Sequence, residues 1–199
     1  MAGRLKKAFD ALGIHDYFLA RELFRKEVKK NPAAAWYGLS VITGRADNPF
    51  YQLDSSFACI QRAEVAWALL PEKKRQTYRD LGVDEAAIRS QTERIYAIAW
   101  EQTQAINTTE SYQRFIDRYV SSSHVPEAAA ARDGLAFQDA RTLNTADAYR
   151  VFLERHPGAK QTYEARNRMQ EAVFREAAPN GSLAEYERFI AEHLESPYV

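Results

Sequence analysis

Residues Asn144 to Ala177 read NTADAYRVFLERHPGAKQTYEARNRMQEAVFREA, and the pattern recurs on either side of itself. Tyr149, Phe152 and His156 have counterparts in Tyr112, Phe115 and Tyr119, and again in Tyr186, Phe189 and His193, each at a step of 37 residues. A period of that length predicts stacked helical hairpins, an αα-solenoid, in which each unit buries its apolar face against the next. Within each unit a short helix carries apolar residues at i, i+3, i+4 and i+7: Tyr112, Phe115, Ile116 and Tyr119, then Tyr149, Phe152, Leu153 and His156. A turn follows. The longer helix after it holds Ala128, Phe137 and Ala140, matched by Ala165, Phe174 and Ala177. Asn107 with Glu110 and Asn144 with Asp147 are the expected helix starts, an N-cap with an acid three positions on. The third copy starts one residue later in this scheme, at Ser182 with Glu185.

Composition agrees with an all-α chain. The 199 residues are 46% hydrophobic and 27% charged, with only 8 Gly and 7 Pro. Helix-forming side chains are abundant and β-branched runs are scarce. The 27 basic and 27 acidic side chains cancel, so no global field favours nucleic acid or an anionic membrane. No stretch reaches the roughly 18 uninterrupted apolar residues of a transmembrane helix. Met1-Ala2-Gly3-Arg4 lacks the apolar core of a signal peptide. The chain closes at Pro197-Tyr198-Val199, partway through a third repeat, as a cut from a longer protein would. The expected location is therefore the periplasm or cell envelope if a signal sequence was removed, and otherwise the cytoplasm.

Ahead of the repeat, helices are expected over 4–12, from Tyr17 to about Lys30 with Asp16 as cap, from Ala33 to about Thr43, and from Phe50 or Asp54 to about Leu70. Phe18, Leu23, Phe24 and Val28 form the expected buried stripe of the second helix. Pro71 to Leu81 reads as a short exposed helix, and Asp84 caps another that runs from Glu85 to about Gln104. The expected division is 1–70 for N-terminal helix pairs, 71–106 for bridging helices, and 107–199 for the 37-residue repeats.

These residues resemble tetratricopeptide-like repeats. Ala20-Arg21-Glu22-Leu23-Phe24 followed by Pro32 keeps that family's Ala, bulky and Pro positions, with Glu27 where the family prefers a small residue. The later copies, Tyr149…Phe152-Leu153…His156-Pro157 and Tyr186…Phe189-Ile190…His193, look like the Y-x-x-F-I-x-x-Y-P-x-S variant common in bacterial envelope proteins. Val120 and Leu194 replace its proline. The resemblance implies a right-handed superhelix serving as a non-catalytic scaffold for a protein or peptide partner. Nucleic acid and direct membrane insertion are not expected; oligomeric state stays open. The concave face would be lined by 33–44, 125–141 and 161–177, with Trp36 as an aromatic anchor and Asp133, Asn167 and Gln170 as polar contacts. A purely structural spacer and a regulatory domain of a multidomain enzyme are the alternatives.

No residue pattern argues for catalysis or a cofactor. His156 and His193 share a repeat slot with Tyr119, which marks packing, and no His-x-x-x-His or Cys-x-x-Cys spacing suggests a metal site. Cys59, the only cysteine, is flanked by Phe57-Ala58 and Ile60 and lacks a partner for nucleophilic chemistry. Phosphate binding would want a Gly-rich turn after a strand, and none exists. The basic cluster Arg25-Lys26-Lys29-Lys30, with Lys6-Lys7, reads as a solvated helix end.

Overall fold

A computed structural model describes residues 2–198. Among these the chain forms eleven α-helices and no strand, packed as hairpin-like neighbours in sequence. Two compact units divide it, Met1–Glu101 and Gln102–Val199. No helix among the described residues is long and apolar enough to cross a membrane.

The first unit contains α1 (Ala2–Gly13), α2 (Tyr17–Glu27), α3 (Pro32–Thr43), α4 (Leu53–Ala68), α5 (Glu72–Arg79) and most of α6 (Glu85–Ile106). Asp16 starts α2 by accepting the Leu19 amide at 3.0 Å, and Pro32, which has no amide to lose, opens α3. The α2 helix stops at Glu27, short of the expected Lys30: the Lys30 amide returns to the Glu27 carbonyl three residues back, a tighter turn, and Pro32 keeps Asn31 out of helical geometry. Its buried stripe is Tyr17, Ala20, Phe24 and Glu27. The expectation for Phe18 is corrected: it is 68% exposed and meets the edge of Phe50 instead.

Two polar devices hold this unit's interior. Glu27 is buried, paired with Arg4 at 3.1 Å, and accepts from Asn31 at 2.7 Å. Asn31 in turn accepts the Tyr78 hydroxyl at 2.9 Å. Tyr78 is almost fully buried, while the rest of α5 is exposed or half-buried, as its charges suggest. Between α3 and α4, Ser40 and Ser56 exchange hydroxyl-to-carbonyl bonds of 2.9 and 2.8 Å, and Gln91 of α6 donates to the Ser40 carbonyl at 3.3 Å. Small side chains let these backbones approach closely. Gly38 does the same on the other face of α3, where the Phe24 ring sits so near that a Cβ would lie 2.3–2.5 Å from it.

The second unit contains the rest of the chain: α7 (Thr109–Arg118), α8 (Val125–Leu143), α9 (Ala146–Arg155), α10 (Thr162–Ala177) and α11 (Leu183–Glu192). Each packs on the next. The N-caps are Thr108, Thr145 and Ser182, whose hydroxyls accept from Ser111, Ala148 and Glu185. This corrects the expected caps Asn107 and Asn144 and brings the third copy into register. The two asparagines stand one residue earlier in the left-handed region, φ 51° and 49°, and Gly181 fills that slot in the third copy at φ 65°. Asn and Gly tolerate this conformation best. The asparagine side chains accept the Tyr112 and Tyr149 hydroxyls at 2.9 and 3.2 Å.

Tyr119, His156 and His193 are the C-caps of α7, α9 and α11, with amides bonded to the carbonyls of Phe115, Phe152 and Phe189. Each ring packs on the phenylalanine four residues before it, at centroid distances of 5.2, 5.3 and 4.8 Å. The small residues Ser122, Ala159 and Ser196 return their amides to these C-caps. The α10 helix ends before α8's counterpart position because Pro179 disfavours helical geometry at Ala178. The register also reaches backwards. Tyr78 precedes Phe115, and Trp100 precedes Phe137, by the same 37 residues, so α5 and α6 share the spacing of the later hairpins.

Candidate functional site

Trp36 lies half-buried on α3 where two open hollows of the first unit meet. One, about 730 Å³, runs between α2, α3 and the start of α4, past Val28, Leu39, Phe50 and Cys59. The other, about 890 Å³, runs between α3, α4 and the approach to α5, past Ala58, Val65, Leu69 and Leu70. Helix periodicity places these residues. Trp36, Leu39 and Thr43 recur along one face of α3, and Cys59, Arg62 and Ala66 along one face of α4.

The lining is amphiphilic with a single sign of charge. Arg21, Arg25, Lys29, Lys30, Arg62 and Lys74 border the two hollows, and no Asp or Glu does. Among the described residues none of these six makes an ion pair. Two of them cover aromatic rings: the Arg62 guanidinium lies 4.6 Å from the Trp36 ring centre, and that of Arg21 lies 4.5 Å from Phe50. Burial pushes the Cys59 thiol above its ordinary range, partly offset by Arg62. A thiol held protonated in this way is a weak nucleophile.

A third hollow, about 770 Å³, is bordered by Arg4, Glu27, Asn31 and Tyr78. Those side chains already satisfy one another.

The remaining residues expected as partner contacts lie in the second unit. Asp133 is buried, and its Oδ1 accepts from Arg132 Nε and Nη2 at 2.9 and 2.7 Å and lies 2.8 Å from His156 Nδ1. Asn167 is exposed on α10. Gln170, one repeat step after Asp133, is half-buried beside Val173, His193 and Leu194 in a hollow of about 580 Å³. Trp36 alone of the four lies in the cation-lined groove. Arg62 and Lys74 escaped the sequence reading, since only the packing of α4 and α5 brings them to α2. Arg25, Lys29 and Lys30 belong to the basic cluster expected as a solvated helix end, and Arg21, four residues before Arg25, lay outside it. Among the described residues no group of three or more His, Cys, Asp or Glu gathers as metal ligands would.

No protein-family model, curated protein or solved structure matches the chain.

Proposed function

We propose that this chain is a tetratricopeptide-like αα-solenoid acting as a non-catalytic scaffold, and that it holds a peptide segment of a partner protein in the groove around Trp36. The repeat reading is supported by the shared slots of Tyr78, Phe115, Phe152 and Phe189, each buried and each 37 residues after the last. The binding reading is carried by the groove. Two hollows join at an aromatic side chain, and apolar side chains are left in contact with solvent there, Val65 at 65% and Leu69 at 81% exposure. A partly buried aromatic flanked by apolar and charged groups has the make-up of an interface anchor.

Selection of peptides from a displayed random library against the intact chain tests this. Cys59 borders the groove, so a bound peptide is expected to slow its reaction with a thiol reagent, and Trp36→Ala is expected to abolish capture. Selected peptides that ignore Trp36→Ala and leave Cys59 reactive would place binding elsewhere. Failure to select any peptide would remove the reading.

A further inference from the structure

Resting on the proposal that this groove binds peptide, we infer that its occupant is an acidic segment in extended conformation, with carboxylates alternating with small apolar side chains. Six cations border the groove without one carboxylate, although the whole chain is electrically neutral. Charges of one sign gathered in a concave surface focus their field on whatever enters it.

The spacing selects the form of the ligand. Arg21 and Arg25 are one helical turn apart on α2, and Lys29 follows by the same step in the turn after it. Arg21 and Arg25 are therefore on the order of 6 Å apart along the helix axis, and Lys29 lies just beyond the end of α2. In an extended peptide every second side chain points the same way and repeats at about 6.6–6.8 Å. A segment with acids at alternate positions thus keeps step with Arg21 and Arg25, with Lys29 beyond them. Its other side chains face the apolar lining, where Leu39 and Trp36 lie. Arg62 and Lys74, from α4 and α5, supply cations from the other elements that border the groove.

Other anions fit less well. Stacking a single-stranded nucleic acid requires open aromatic faces, whereas the Trp36 and Phe50 rings already carry guanidinium groups. A bilayer presents a broad surface to cations that here border hollows.

The experiment is fluorescence anisotropy of the intact chain with a labelled synthetic peptide alternating Glu with Leu or Ser. The control is the same peptide with Gln for Glu. The Gln peptide is expected to bind at least roughly tenfold more weakly, and added salt should weaken only the Glu peptide. Arg25→Glu combined with Lys29→Glu should abolish binding. Lys160→Glu combined with Arg166→Glu changes net charge equally on exposed sites of the second unit and should leave binding unchanged. Far-UV circular dichroism checks that both variants remain folded. Equal binding of the Glu and Gln peptides would overturn the acidic assignment while leaving the peptide-binding proposal intact. Capture of no peptide in this assay or in library selection would remove both. Displacement of the Glu peptide by a single-stranded oligonucleotide, or by phosphatidylserine vesicles, at lower concentration than unlabelled Glu peptide would overturn the assignment in favour of that anion.

Discussion

His156 Nδ1 lies 2.8 Å from Asp133 Oδ1, tying the C-cap of α9 to the middle of α8. The connection continues, because Arg132 holds the same oxygen and also donates to Gln113 of α7 at 2.6 Å. Three successive helices thus share one polar chain, centred on a carboxylate with little access to water. Removing the acceptor leaves donors from two helices unsatisfied. Asp133→Ala should lower stability by about 1–3 kcal/mol, and Asp133→Asn by less, since an amide oxygen still accepts. Urea unfolding followed by circular dichroism measures both. An unchanged midpoint for Asp133→Ala would show that the chain adds nothing to stability.

Asn144 combines a left-handed backbone with a side chain that accepts the Tyr149 hydroxyl. Asn144→Gly loses only the hydrogen bond. Asn144→Ala loses the bond and also forces a Cβ-bearing residue without local polar compensation into that conformation, at a further cost of about 1 kcal/mol. The expected order of unfolding midpoints is Asn, then Gly, then Ala. Alanine equal to glycine would argue against backbone strain here.

Phe24 has no exposed surface, and its ring fills the space a Cβ on Gly38 would need. Gly38→Ala is therefore an overpacking substitution between α2 and α3 and should cost about 1–3 kcal/mol. Phe24→Leu frees part of that space, so the double variant should be more stable than the two single costs add up to. Strict additivity in a double-mutant cycle would contradict the contact.

Hydrogen bonds from Arg45 and Tyr17 hold the Asp47 carboxyl far below the usual carboxylate range. A depressed pKa means the unfolded chain takes up the proton first. The contribution is complete above the unfolded value, near pH 4, and is lost as pH falls through the folded one. Asp47→Asn should therefore be less stable than the parent at neutral pH, with the gap closing on acidification. Unfolding midpoints across the acid range test this, and a gap that stays constant would be inconsistent with it.

The helical hairpins were legible in the sequence because aromatic residues recurring at a step of 37 residues are spaced for burial on helix faces. The all-helical class and most helix positions follow from that periodicity and from Pro32, Gly44 and Asp16. The cap positions were misread by one residue, since Asn107 and Asn144 are favoured both as N-caps and in left-handed turns. Only the backbone angles separate the two roles. Tyr78 and Glu27 were harder still. A phenol and a carboxylate look like surface groups until Asn31 and Arg4 arrive from other helices to satisfy them. The groove was half legible: Arg21 and Arg25 have helical spacing on α2, but its sign emerges only when the α4 and α5 cations join them and no carboxylate does.

That pair also sets a conflict between folding and recognition. Arg21 and Arg25 place like charges one turn apart on α2, an arrangement that destabilises a helix by about 0.2–0.5 kcal/mol. The first unit holds these two cations at the expense of its own helix, and an acidic segment of the kind proposed would offset that cost on binding.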